Sequence, residues 1–148
     1  MNQIPLEQYK EILKVMPIFC VDVIIQNDRG KYLLVKRSNE PLKGKWWIIG
    51  GRVLKGETME EAVIRKVRQE TNVLVKDMEP IGYFELVEGS NPFGLPFKYH
   101  SMSVVFKVVI GNNQPIKLDE QSAEYKFANE LPVNLAIKPF LAKKKGGL

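Results

Sequence analysis

The chain has 148 residues, with 22 Lys plus Arg against 17 Asp plus Glu, a net charge of +5 and a pI near 9.3. That length suits one domain, expected over 1–148, and a content of 45% hydrophobic and 26% charged residues excludes a disordered chain. No apolar run approaches the roughly 20 residues of a membrane span, and +5 spread over a domain is not a nucleic-acid signature.

The polar N-terminus, MNQIPLEQYKEILK, carries no secretory signal pattern, so a cytoplasmic location is expected. Leu6, Tyr9, Ile12, Leu13 and Met16 recur at helical spacing and predict a short amphipathic helix over 5–16, ended by Pro17. Residues 18–26 (IFCVDVIIQ) are β-branched and apolar and predict a buried strand. The single cysteine, Cys20, lies inside it and reads as a core thiol. Asn27-Asp28-Arg29-Gly30 is a turn signal, and 31–37 reads as the returning strand. A polar loop over 38–45 leads to a short strand at 46–49, which runs into Gly50-Gly51.

Thr58 to Thr71 is the clearest helix. Thr58 and Glu61 have capping-box spacing, and Asn72 suits the left-handed residue after a helix. One or two strands follow in 73–87, then a Gly/Pro loop at 89–98. Strands are expected at 100–110 and 123–129, with a turn at 111–115 between them. Pro132 to Lys145 could hold a last helix with Leu135, Ile137, Phe140 and Leu141 inward. The order predicts an α/β or α+β fold, a mixed sheet with helices packed on it.

The segment 50–73, GGRVLKGETMEEAVIRKVRQETNV, is the most informative. A glycine pair follows a strand and allows close approach to the backbone, with Arg52 and Lys55 beside it. In the helix that follows, Met59, Ala62, Val63 and Val67 form an apolar stripe, and Glu70 and Lys66 project into it. A carboxylate there needs a partner. Two are open: Lys66 at i, i+4, or a metal ion.

This segment resembles the Nudix box, G-x5-E-x7-R-E-U-x-E-E-x-G-U with U aliphatic. Gly51, Glu57, Arg65, Val67, Glu70 and Val73 match, while Lys66 and Gln69 stand for glutamates and Asn72 for the last glycine. The resemblance covers nearly the whole chain and implies a Nudix fold. Ordinary family diphosphatases use the two missing glutamates to hold divalent ions and activate water at phosphorus. A branch that also lacks them, the GDP-mannose mannosyl hydrolases, cuts the sugar C1–O bond. VDVIIQNDRGKYLLVKRSNEPLKGKWWIIGGRV and LDEQSAEYKF are similar to that branch.

By that resemblance the Gly50 carbonyl, Glu70 and Gln121 would hold one Mg²⁺. Arg37, Arg52 and Arg65 would stabilise the diphosphate beside Gly51, and Asp22 would face the sugar. In the wider family the box Arg and Glu also brace the loop, so Arg65 and Glu57 have either role. A nucleoside diphosphate sugar substrate and a homodimer are implied, with no nucleic-acid or membrane partner. The branch's general base falls at Ser122, which does not titrate near neutral pH. His100, Glu120 and Glu124 are the replacement candidates. Trp46 or Trp47 could stack a base, and the loop with Pro92, Phe93, Pro96 and Phe97 could line the pocket or a dimer partner. Lys143 to Lys145 read as a solvated tail.

Overall fold

The computed structural model describes residues 4–40, 42–87, 91, 93–110, 114–119, 122–132 and 135–140, all but the side chain of Ala123. Among them no helix is long and apolar enough to cross a membrane. Helix α1 (Leu6–Val15) starts after Pro5, and its C-cap, Met16, is extended, as the residue before a proline tends to be. Strands β1 (Ile18–Gln26) and β2 (Tyr32–Arg37) form an antiparallel hairpin closed at Gln26 and Tyr32. Asn27 Oδ1 accepts from the amides of Arg29 and Lys31, each at 3.0 Å, and Gly30 takes φ +72° to complete the turn.

The segment read as a single strand at 46–49 is two pieces, β3 (Trp46–Trp47) against β2 and β4 (Ile49–Arg52) against β1. Helix α2 (Met59–Thr71) begins with the full capping box, Thr58 Oγ1 accepting from Glu61 N and Glu61 Oε2 accepting from Thr58 N. It ends at Asn72, φ +57°. Strand β5 (Val75–Leu86) is one continuous strand with two register shifts, paired to β6 (Ser101–Ile110). Strand β6 runs parallel to β1 and β7 (Ser122–Ala128) antiparallel to β2, so the sheet is mixed.

The expected last helix is not seen at 135–140. Lys138–Pro139 form a short strand, β8, against β5 at Gly82 and Tyr83. Pro139 lacks an N–H and drives Lys138 to the extended region, which opposes a helix there. Residues 141–145 of that expectation lie outside the described residues.

Alternation sorts the core. Val21, Val23 and Ile25 of β1 meet Ala62, Val63 and Val67 of α2 and Phe106 and Val108 of β6, each nearly or wholly removed from solvent. Burying each Val-sized side chain stabilises the fold by about 1.5–3 kcal/mol. On the opposite face Ile24, Leu34, Trp47, Ile48, Phe84 and Val105 form a second cluster, joined by Leu131, Leu135 and Ile137. Tyr9 and Leu13 of α1 pack on Ile18, Cys20 and Tyr99. The class is α+β as predicted, a mixed sheet with two helices.

Candidate active site

A cavity of about 400 Å³ opens where β1, β4 and β6 meet the second half of α2 and one side of α1. Its polar floor follows from the two-residue period of strands. Cys20 and Asp22 on β1, with Ser101 and Ser103 on β6, face it, while Val21 and Val23 turn into the α2 core. Cys20 and Ser103 are directly paired across the parallel ladder.

The two glycines of β4 explain their own presence. A Cβ on Gly50 would lie 2.0 Å from Asp22 Oδ1, and one on Gly51 would lie 2.7 Å from Lys66 Cε. Successive strand residues face opposite sides. Gly50 therefore opens one face of β4 to a carboxylate, and Gly51 opens the other to an ammonium.

Asp22 is buried and accepts a hydrogen bond from Ser103. Burial pushes its carboxyl from the usual 3.8 up to about 6, with Ser103 and the Arg37 charge opposing. Arg37 ends β2 and lines the same cavity. The Arg52 guanidinium lies 4.1 Å from the centroid of the Tyr9 ring, a cation–π contact that aims it inward from β4. Tyr9 in turn meets Phe93 edge to face at 5.7 Å. Tyr99 donates to Cys20, whose thiol is pushed up to about 12 chiefly by burial and stays protonated.

Arg65 makes four hydrogen bonds within the loop and helix. Its Nε donates to Glu57 Oε1 at 2.6 Å, and its Nη2 to Glu57 Oε2 and to the Arg52 carbonyl at 2.9 Å each. Its Nη1 donates to Gln69 Oε1 at 3.2 Å. Glu57 also accepts from Leu54 N, so the pair ties the loop after β4 to α2. These contacts are those of a brace, and Arg65 also lines the cavity.

Glu70 and Lys66 are both buried, and the Lys66 ammonium forms an ion pair with Glu70 Oε1. That oxygen has no partner of hydrogen-bond geometry among the described residues. Burial raises the Glu70 carboxyl above its ordinary value, with the Lys66 charge opposing. The Asp119 charge also reaches Glu70, and Ser122 pairs with Arg37 across β2 and β7. Ser122 is buried but does not line the cavity. Gln121 and Glu120 lie outside the described residues.

Of the three ligands expected for Mg²⁺, Gly50 lines the cavity, Glu70 forms an ion pair with Lys66, and Gln121 lies outside the described residues. His100 is not brought to the site. It precedes β6, does not line the cavity, and stands 3.6 Å from Glu85 on β5. Glu124 pairs with Lys36 on an exposed surface. Trp47 is buried against Phe84 and lines the cavity, whereas Trp46 packs under the Lys126 ammonium outside it. Pro92 and Lys143 to Lys145 lie outside the described residues.

Tyr9 and Tyr99 are site residues that the sequence reading missed. Tyr9 looked like one more apolar position of an amphipathic helix; its contact with Arg52 is a tertiary fact with no local signal.

A model of the NUDIX domain matches residues 16–145. The chain is 38% identical over 128 residues to the ADP-ribose pyrophosphatase of Methanocaldococcus jannaschii, covering 86% of this chain and 70% of that one. It is 31% identical over 126 residues to the low-salt glycan biosynthesis protein Agl8 of Haloferax volcanii, covering 84% and 79%. The crystal structure of the MutT protein of Methanosarcina mazei Go1 matches with a TM-score of 0.59 at 28% identity, over 77% of this chain and 78% of that one.

Proposed function

The chain belongs to the NUDIX family, and within it we propose a hydrolase of a nucleoside diphosphate sugar that directs water to the sugar C1 and releases the nucleoside diphosphate. The observation that carries this reading is the meeting of opposite charges in one cavity. Arg37, Arg52 and Lys66 present cations to one cavity, and Asp22 presents a buried carboxylate to the same space. Cations held in place stabilise a diphosphate as it departs. Asp22, with its carboxyl near 6, is ionised at neutral pH and accepts a proton from water. The water oxygen bonds to C1, the C1–O bond breaks, and its electron pair leaves on the diphosphate.

Lys66 and Gln69 support cleavage at carbon over cleavage at phosphorus. Where the resemblance expects carboxylates that gather metal ions around an attacking water, this chain has an ammonium and an amide. The sugar and base are left to the resemblance, which points to GDP-mannose, with residues 1–148 acting as one NUDIX domain. Tyr9, Phe93 and Trp47 are the apolar surfaces available to a base or sugar ring.

A second reading is a diphosphatase that cuts P–O–P. It is favoured by the 38% identity to a protein named ADP-ribose pyrophosphatase. Incubation with GDP-mannose and with ADP-ribose, each with and without Mg²⁺, tests both. Free sugar plus nucleoside diphosphate supports attack at C1. Sugar phosphate plus nucleoside monophosphate supports the second reading. Binding without turnover would refute both and leave a nucleotide-binding protein.

A further inference from the structure

We propose that Lys66 is the resident cation of this cavity, standing at Glu70 where the family resemblance places a divalent ion, so that the diphosphate binds without one. The inference rests on the reading above that the ligand is a nucleoside diphosphate derivative. Two observations carry it. Lys66 and Glu70 lie one turn apart on α2, both almost wholly removed from solvent, and form an ion pair. Breaking such a pair leaves an uncompensated buried charge, so Lys66 is held in place. A divalent ion brought onto Glu70 would meet that ammonium as a like charge at close range in a poorly screened site.

The second observation is Gly51. Its missing side chain is the space Lys66 uses: a Cβ there would lie 2.7 Å from Cε and 3.1 Å from Nζ. The lysine is therefore threaded against β4 and reaches the cavity it lines together with Arg37 and Arg52.

The test uses the full chain stripped of metal. Mn²⁺ is titrated by calorimetry and electron paramagnetic resonance into the wild type, Lys66→Glu and Glu70→Gln, without nucleotide. The wild type should show no saturable site, and Lys66→Glu should gain one at least about tenfold tighter than any wild-type uptake. GDP and ADP are then titrated with chelator or with Mg²⁺. Wild-type affinity should agree within about threefold between the two conditions, and Lys66→Glu should bind either nucleotide only with Mg²⁺. A wild-type Mn²⁺ site that Glu70→Gln removes would overturn the proposal. So would nucleotide binding that chelator abolishes and Mg²⁺ restores. If Lys66→Glu fails to fold, the wild-type and Glu70→Gln titrations decide alone. If the wild type binds neither nucleotide under either condition, the diphosphate reading fails, while the Mn²⁺ titration still judges Lys66.

Discussion

Asp22→Asn removes a carboxylate that β1 carries into the sheet, and its effects on stability and on rate should have opposite signs. The folded-state pKa is raised from 3.8 to about 6, so between those values the native state holds a proton that the unfolded chain releases. Stability from this group is greatest below the lower value and falls as pH rises through the upper one. The rise corresponds to about 3 kcal/mol of destabilisation once Asp22 is ionised. Asparagine keeps an oxygen for the Ser103 hydroxyl but adds an amide whose imperfect pairing returns about 1 kcal/mol. A net gain near 2 kcal/mol is therefore expected at about pH 8, turning into a small loss, under about 1 kcal/mol, at about pH 4. Urea unfolding followed by Trp46 and Trp47 fluorescence measures it. The same variant should lose about 10²–10⁴ in rate, and wild-type activity should rise with pH through about 6 and then level. A variant less stable than wild type at the alkaline end, or a difference independent of pH, would refute the assignment of a buried, strained charge.

Arg52→Ala should weaken nucleoside diphosphate binding about tenfold or more, the loss of one charge-assisted hydrogen bond of about 1.5–3 kcal/mol; calorimetry with GDP reads this, and unchanged affinity would place the phosphates elsewhere. Glu57→Gln should destabilise the fold by about 1–3 kcal/mol near neutral pH. Hydrogen bonding to Arg65 lowers the Glu57 carboxyl, so the stability it contributes is present above its unfolded pKa and is lost as pH falls through the depressed one. The gap between Glu57→Gln and wild type, read by urea unfolding, should close in acid. Gly51→Ala should lower nucleotide affinity, because the new methyl meets Lys66; unchanged affinity would show that Lys66 is free to move aside.

The local chemistry of α2 was legible because its signals are local. A Thr cap with Glu three residues on, an apolar stripe and a left-handed Asn set both helix ends, and β1 and β6 follow from their β-branched runs. The last helix failed because apolar spacing at Leu135, Ile137 and Phe140 outweighed the backbone restriction of Pro139, and because β5 offered an edge to pair with. At the site, both partners for Glu70 could be named from spacing. Choosing the lysine required knowing that Gly51 passes over it, a contact between β4 and α2. Arg65 was ambiguous for the same reason: a bidentate pair to Glu57 and a bond to the Arg52 carbonyl are loop geometry. His100 is the lone histidine of the chain, yet it precedes β6 and stands beside Glu85, outside the cavity.

Hydrolysis of GDP-mannose in ¹⁸O-labelled water tests attack at C1 most directly. The isotope should appear in the released sugar, with GDP unlabelled, and Asp22→Asn should suppress its incorporation. Label on a phosphate, with GMP and sugar phosphate as products, would contradict the account and assign the chemistry to phosphorus.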